Sequence, residues 1–310
     1  MAGDGLKPGA KAPGTFGKLT RSERARVILG VAAIILLFAA VFIGPGLLSG
    51  SGASFSLFVG GKPSWRQVGS YRVESADAQA LRGIAVEWAA GDVLVRRGAV
   101  EVPTVIEEAD VPEGASAPEP TLDASFSAGE LRVGKRSQGW LHFGGSSRVV
   151  VELPQTMASD GIDSLTVRGG SGDASVSGIS SDRLDVELSA GDLAIDDAVF
   201  GTGALKTKAG DLKASVRAKD SVTASSSAGD ISLACKDALP GRIGIDAGAG
   251  DVELGVPDGS GFRLDLDQKA GELESDGFDL ARDGSAYRGG DGACAIQARL
   301  SAGDLKLSQA

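Results

Sequence analysis

A two-residue signal, glycine followed by an acid, recurs along this chain, and at each recurrence the hydrophobic alternation changes phase. The pairs are Gly91/Asp92, Gly129/Glu130, Gly172/Asp173, Gly191/Asp192, Gly210/Asp211, Gly229/Asp230, Gly250/Asp251, Gly271/Glu272 and Gly303/Asp304. Upstream of each glycine the alternate positions are mostly apolar or small, as in Ile84, Val86, Trp88 and Ala90 or Leu184, Val186, Leu188 and Ala190. Downstream the apolar positions lie two and four residues on, as in Val93 and Val95 or Leu193 and Ile195. Side chains alternate faces along a strand, so the phase can flip only where the backbone bends or bulges. Each pair therefore reads as a corner joining two short strands that face one core. Glycine reaches positive φ without a Cβ clash, and an acid accepts hydrogen bonds from nearby backbone amides.

Spacing turns a turn motif into an architecture. Nineteen residues separate the glycines at 172, 191, 210 and 229, and 21 separate those at 229, 250 and 271. Two strands per ~20 residues cannot bury their apolar faces alone, so such units stack. The expected fold is all-β: a single-sheet-wrapped β-solenoid, parallel β-helix-like with ~20 residues per coil, preceded by one N-terminal transmembrane α-helix. Parallel ladders about 4.8 Å apart would give residues 80–310 on the order of ten coils. Composition agrees, because 46 glycines and 5% aromatics leave little bulky material for a thick core, while 42% hydrophobic content is too high for disorder. A sandwich or propeller would use the same turns without the regular spacing, and the LxxLxL signature of a leucine-rich repeat is missing.

The first third of the chain is organised differently. Residues 1–26 form a basic tail with six cations against Asp4 and Glu23, and residues 27–48 are an uninterrupted apolar run. At 1.5 Å per residue that run spans about 30 Å, matching a bilayer's hydrocarbon core. The lipid bilayer is thus the expected partner of residues 27–48, as a single-pass helix with a cytoplasmic N-terminus and an extracytoplasmic repeat domain. A signal peptide cleaved near Ser51 or Ala53 is the rival reading, but its apolar core would be shorter. Residues 49–79 read as a stalk and 80–310 as the repeat domain, with loops inserted at 103–121, where proline and acids cluster, and at 136–147. The chain's net charge is −10, and with +4 on residues 1–26 the rest carries −14, which opposes nucleic-acid binding by the repeat domain.

VVVELP at 149–154, the serial SAGDL-type corners, and SAYRGGDGACAIQARLSAGDLKL at 285–307 together resemble the bacterial putative-adhesin family of β-strand repeats, a domain of unknown function. The resemblance covers residues 80–310. It implies a β-solenoid at the cell surface or envelope, behind a single membrane anchor, with no established ligand. Alanine stands here where many members have serine before the glycine, a change that leaves the corner intact.

Nothing in the sequence converges on catalysis. The acids recur coil by coil as a ladder instead of gathering at one point, and His142, the single histidine, sits between Trp140 and Phe143, where packing is the simpler role. The glycine-aspartate nonapeptide of calcium-binding β-rolls is missing, so no metal and no cofactor is expected. Cys235 and Cys294 lie three glycine intervals apart, about 14 Å along a stack, beyond disulfide reach, and are expected to be free thiols. The expected function is a non-enzymatic, membrane-anchored surface or envelope protein displaying the solenoid for adhesion-like binding or scaffolding, toward an external ligand or membrane protein. Two alternatives stay open: an envelope-stress accessory or sensor acting through a membrane partner, and a carbohydrate-active β-helix enzyme.

Overall fold

The computed structural model describes residues 64–111, 113–136, 146–155 and 161–310. The tail at 1–26, the apolar run at 27–48 and the Trp140, His142 and Phe143 segment lie outside the described residues. Among the described residues no helix is long and apolar enough to cross a membrane.

The described residues form 21 strands of one sheet, with a 3-10 turn at Ala78–Ala80. In chain order the strands are β1 (Trp65–Arg72), β2 (Gly83–Ala90), β3 (Asp92–Gly98), β4 (Thr104–Asp110), β5 (Leu122–Ser127), β6 (Glu130–Lys135) and β7 (Ser147–Pro154). Then follow β8 (Ile162–Ser171), β9 (Ala174–Ser177), β10 (Ser180–Ala190), β11 (Leu193–Ala209), β12 (Leu212–Ala228), β13 (Ile231–Cys235), β14 (Arg242–Ala249) and β15 (Val252–Val256). The last are β16 (Phe262–Gln268), β17 (Leu273–Ser275), β18 (Ala281–Asp283), β19 (Ala286–Gly289), β20 (Cys294–Ala302) and β21 (Leu305–Gln309).

Two parallel ladders carry the repeats. Strands that precede a corner pair in the order β2, β8, β10, second half of β11, second half of β12, β14, β20, β16. Strands that follow a corner pair in the order β3, β9, first half of β11, first half of β12, β13, β15, β21, β17. In the middle of the stack the pairing register equals the sequence repeat: Leu184 lies between Leu165 and Gly203, each 19 residues away. Alternation then places Ile84, Leu165, Leu184, Val222, Ile243, Ile296 and Leu264 in one buried column. Gly203 occupies the one rung without a side chain, and the Phe200 ring fills the space, coming within 2.5 Å of where a Cβ would stand. Each buried Leu, Ile or Val contributes about 1.5–3 kcal/mol, so stability accumulates rung by rung.

β11 and β12 each run 17 residues, serving one ladder and then the other. The bend in β11 is a bulge at Asp197, which holds φ 53 and shifts the register against β12 between Asp196 and Ala198. Arg217 on β12 bonds the carboxylates of Asp197 and Asp237 from the coils on either side, its Nε lying 2.6 Å from Asp237. The hydrogen bond from Arg217, then its charge, holds the Asp197 carboxyl below the usual range.

Four expectations are corrected. First, Gly129/Glu130 is no corner of the stack: Ala128 (φ 51) and Gly129 (φ 79) form the turn of an antiparallel β5–β6 hairpin, and β6 pairs with β2 in the pre-corner ladder. Two consecutive positive φ values suit a type I′ hairpin turn. Second, residues 103–121 are not all loop, because β4 lies there, antiparallel to β7 and β1. Its apolar residues Val105 and Ala109, together with the buried Glu107, face the core at the end of the stack. Third, the expected stalk at 49–79 contains β1 and the 3-10 turn, both part of that end. Fourth, the coils do not stack in sequence order. β20 and β21, last in the chain, insert between the coil of β14 and β15 and that of β16 and β17. Burial explains the insertion: Ile296, Ala298, Leu300, Leu305 and Leu307 are fully apolar and suit an interior rung, whereas β16 and β17 offer Gln268 and a partly exposed Leu273.

Candidate functional site

The corners align into one continuous ladder, in the order Gly91, Gly172, Gly191, Gly210, Gly229, Gly250, Gly303, Gly271. It brings together eight of the nine glycine and acid pairs read from the sequence; Gly129/Glu130 is elsewhere. From Gly172 to Gly303 the corner glycines hold φ between 122 and 142, and Gly91 holds φ 108. This region is open to glycine and closed to side chains.

The acids do more than shape their own turns. Asp92 Oδ1 accepts the backbone N–H of Asp173 at 3.1 Å, Asp173 that of Asp192 at 2.9 Å, and Asp192 that of Asp211 at 2.9 Å. The series continues through Asp230 on Asp211, Asp251 on Asp230, Asp304 on Asp251 and Glu272 on Asp304, at 2.8–2.9 Å. The aspartate carboxylate thus bonds the next coil and acts as a clasp between coils. A hydrogen bond to a charged group contributes about 1.5–3 kcal/mol, and neighbouring carboxylates at the ~4.8 Å coil spacing oppose part of that. Asp211→Ala is therefore expected to cost about 1–2 kcal/mol in urea unfolding and Asp211→Asn less, since asparagine keeps an acceptor. Equal stability of Asp211→Ala and wild type would refute the clasp.

A second set of corner contacts was not legible as such in the sequence. The residue three before each glycine points inward, and on three coils it caps a corner carbonyl of the neighbouring coil. Thr207 Oγ1 donates to Gly191 O at 3.2 Å, Ser226 Oγ to Gly210 O at 3.3 Å, and Gln268 Nε2 to Gly303 O at 2.7 Å. The available signal is a hydroxyl or amide at a position otherwise occupied by Trp88, Gly169, Leu188, Ala247 or Leu300.

Outward charges also follow the coil order. Glu87, Arg168, Glu187 and Lys206 occupy successive rungs, then Ser225, Asp246, Arg299 and Asp267. Ion pairs form at 3.7 Å for Arg168–Glu87, 3.3 Å for Lys206–Glu187 and 3.6 Å for Arg299–Asp246. All are exposed, so each contributes at most about 1 kcal/mol, and their clearer effect is on rung order.

Cys235 and Cys294 are free and buried. Because β20 inserts out of order, their coils are two corner levels apart, Gly229 to Gly250 to Gly303, instead of the three expected. Burial, and secondarily Cys294, pushes the Cys235 thiol up to about 12, and burial pushes Cys294 up to about 11. The native protein should therefore resist thiol alkylation at pH 8, whereas the chain unfolded without reductant should take two labels. Unfolded thiols ionise near 9.0, so the unfolded state binds fewer protons above that pH. Stability contributed by the buried thiols is thus full below pH 9 and declines as pH rises toward the folded values.

Among the described residues no three His, Cys, Asp or Glu side chains are placed to hold a metal ion. The corner carboxylates form a line, each except the terminal Glu272 with one oxygen engaged in a coil-to-coil bond, and they do not converge on a substrate-sized point.

The profile of the family described as Toastrack DUF4097 matches residues 72–308. The chain belongs to that family. The Toastrack region spans the corner ladder and both parallel ladders, beginning at the last residue of β1. No curated protein matches the chain. Solved structures similar to this Toastrack chain include a putative cell adhesion protein from Clostridium sporogenes, 13% identical over 80% of this chain and 100% of that one, with a TM-score of 0.30. A putative adhesin from Bacteroides fragilis is 12% identical over 80% of this chain and 97% of that one, at 0.39. A putative lipid binding protein from Parabacteroides distasonis is 11% identical over 78% and 96%, at 0.35.

Proposed function

We propose that this protein is a non-enzymatic, single-pass membrane protein whose Toastrack domain is a β-solenoid presented on the outer side of the cell membrane for adhesion-like binding or scaffolding. The observation that carries the reading is the disposition of the recurrent polar groups. The corner acids are arrayed in a line and bonded between coils, a construction that supports presentation of a surface instead of convergent acid–base chemistry. The anchor rests on the apolar run at 27–48 behind six cations.

Protease shaving of intact cells tests the topology. Residues beyond 64 should be digested from outside while an N-terminal epitope stays protected, and deletion of 27–48 should release the domain from the membrane fraction. A domain shielded from external protease until lysis would sink the reading. The basic tail favours a second reading, in which residues 1–26 contact a cytoplasmic partner of an envelope-stress response. Deleting residues 1–20 should then abolish the response with surface display intact.

A further inference from the structure

The two ends of the stack are built differently. Beyond β3 and β2 it continues into β7, β4 and β1 on one ladder and into the β5–β6 hairpin on the other, with β1 and β5 outermost and each paired on one side. At the opposite end β16 is paired on its outer side only at Phe262, Arg263 and Leu264, by β19. From Asp265 to Gln268, and along β17, no strand among the described residues covers the outer edge. Lys269 donates its amide to Leu300 O and Cys294 donates to Gly261 O, so strand alternation turns the backbone groups of Leu266 and Gln268 away from β20. The same reasoning from Leu305 on Glu272 and Asp276 on Leu307 turns those of Leu273 and Ser275 away from β21.

Side chains on this coil are as incomplete as its backbone. Leu266, Leu273, Phe278 and Leu280 are only partly buried, whereas Ala298, Leu300, Leu305 and Leu307 one rung below are 0–2% exposed. Each ladder also stops on an acid: Arg299 is followed by Asp267, and Glu253 and Lys306 are followed by Glu274. The rung above each would, by the alternation below it, carry a cation. Glu272 is the last acid of the corner ladder, and no amide of the described residues stacks on it as Glu272 itself stacks on Asp304. A second copy of this end is a poor complement. It would set Asp265, Asp267, Glu272 and Glu274 against the same acids, with Lys269 as the cation between them.

We propose that this open edge is a docking site for an extended, basic segment of a partner polypeptide, which adds as a further rung on β16 and β17. Its backbone bonds Leu266, Gln268 and Leu273; its apolar residues cover Leu266 and Leu273; its cations meet Asp267 and Glu274. Strand addition to an exposed edge draws affinity from main-chain hydrogen bonds and selectivity from alternate side chains. The acids and the short length of β17 guard the same edge against indiscriminate pairing. The site belongs to the folded domain and deepens the binding reading by naming a partner chemistry; it does not depend on the membrane anchor.

The test uses the full-length chain in detergent micelles and a blocked eight-residue peptide of alternating lysine and valine. Peptide binding should slow amide exchange at Leu266, Gln268 and Leu273 at least ten-fold. Asp267→Lys with Glu274→Lys should weaken binding at least ten-fold. Asp246→Lys with Glu253→Lys, the same charge change on interior rungs, should leave it within two-fold, with thermal melting checking that both variants fold. Failure to bind, equal weakening by both pairs, or unchanged exchange at the three amides would each overturn the site. So would a concentration-dependent dimer dissolved by the Asp267 and Glu274 pair, since the occupant would then be a second copy. None of these results bears on membrane topology, which protease shaving reads separately.

Discussion

Gly191→Val is expected to lower the unfolding free energy by about 3–5 kcal/mol. Two effects combine. Gly191 holds φ +129, where a β-branched residue is strained, and a Cβ there would stand 2.1 Å from Gly172 O and 2.6 Å from Gly172 C. Those atoms belong to the backbone of the neighbouring coil, so relief requires the coils to separate. Separation would also break the Asp192 amide bond to Asp173, because that clasp is one residue away. Gly284 provides the control: its φ is +65, and nothing lies within 4 Å of its added Cβ. Gly284→Ala should cost only the backbone strain, about 1 kcal/mol. Urea unfolding of both variants separates strain from coil contact, and a Gly191→Val protein as stable as wild type would remove the close-packed corner from this account.

Glu107→Ala should destabilise the end of the stack built from β1, β4 and β5 by about 2–4 kcal/mol. Glu107 is 3% exposed and points inward from β4, an arrangement that would be costly without partners. Its carboxylate accepts the amides of Thr121 and Leu122, each at 2.8 Å, and the Thr121 hydroxyl at 2.5 Å. It thereby ties the segment after β4 to the start of β5. Truncation would leave the buried Leu122 amide and the partly buried Thr121 amide without acceptors, whereas Glu107→Gln keeps one acceptor oxygen and should lose about half as much. Limited proteolysis between residues 113 and 121 reads the loosening directly. Cleavage at the wild-type rate in Glu107→Ala would show that the carboxylate does not hold this end together.

Neither the Glu107 anchor nor the strand that carries it was legible in the sequence. Proline and acids between 103 and 121 look like loop chemistry, and the value of Glu107 emerges only when β5 supplies amides to it. The same holds for Gly129. Its serine-alanine-glycine context copies that of Gly191 and Gly303, and a hairpin turn flips the alternation as readily as a corner does. The candidate ladder was otherwise readable residue by residue, because the demand for glycine at positive φ and for an acid beside it is local. The capping roles of Thr207, Ser226 and Gln268 are not legible in the sequence because each acts on a carbonyl supplied by another coil.

What this sequence determined by itself is the coil: two strands, their inward faces, the corner between them and the 19-residue repeat that sets their register. These follow from the period of the strand and the sterics of one dihedral angle, both encoded within about ten residues. The tertiary structure alone decided which coil lies on which. Parallel ladder bonds join the same backbone groups whatever the residues, so they accept any order, and the choice falls to burial and charge. By that criterion the apolar coil of β20 and β21 moved inside, and the acidic coil of β16 and β17 was left at the open end.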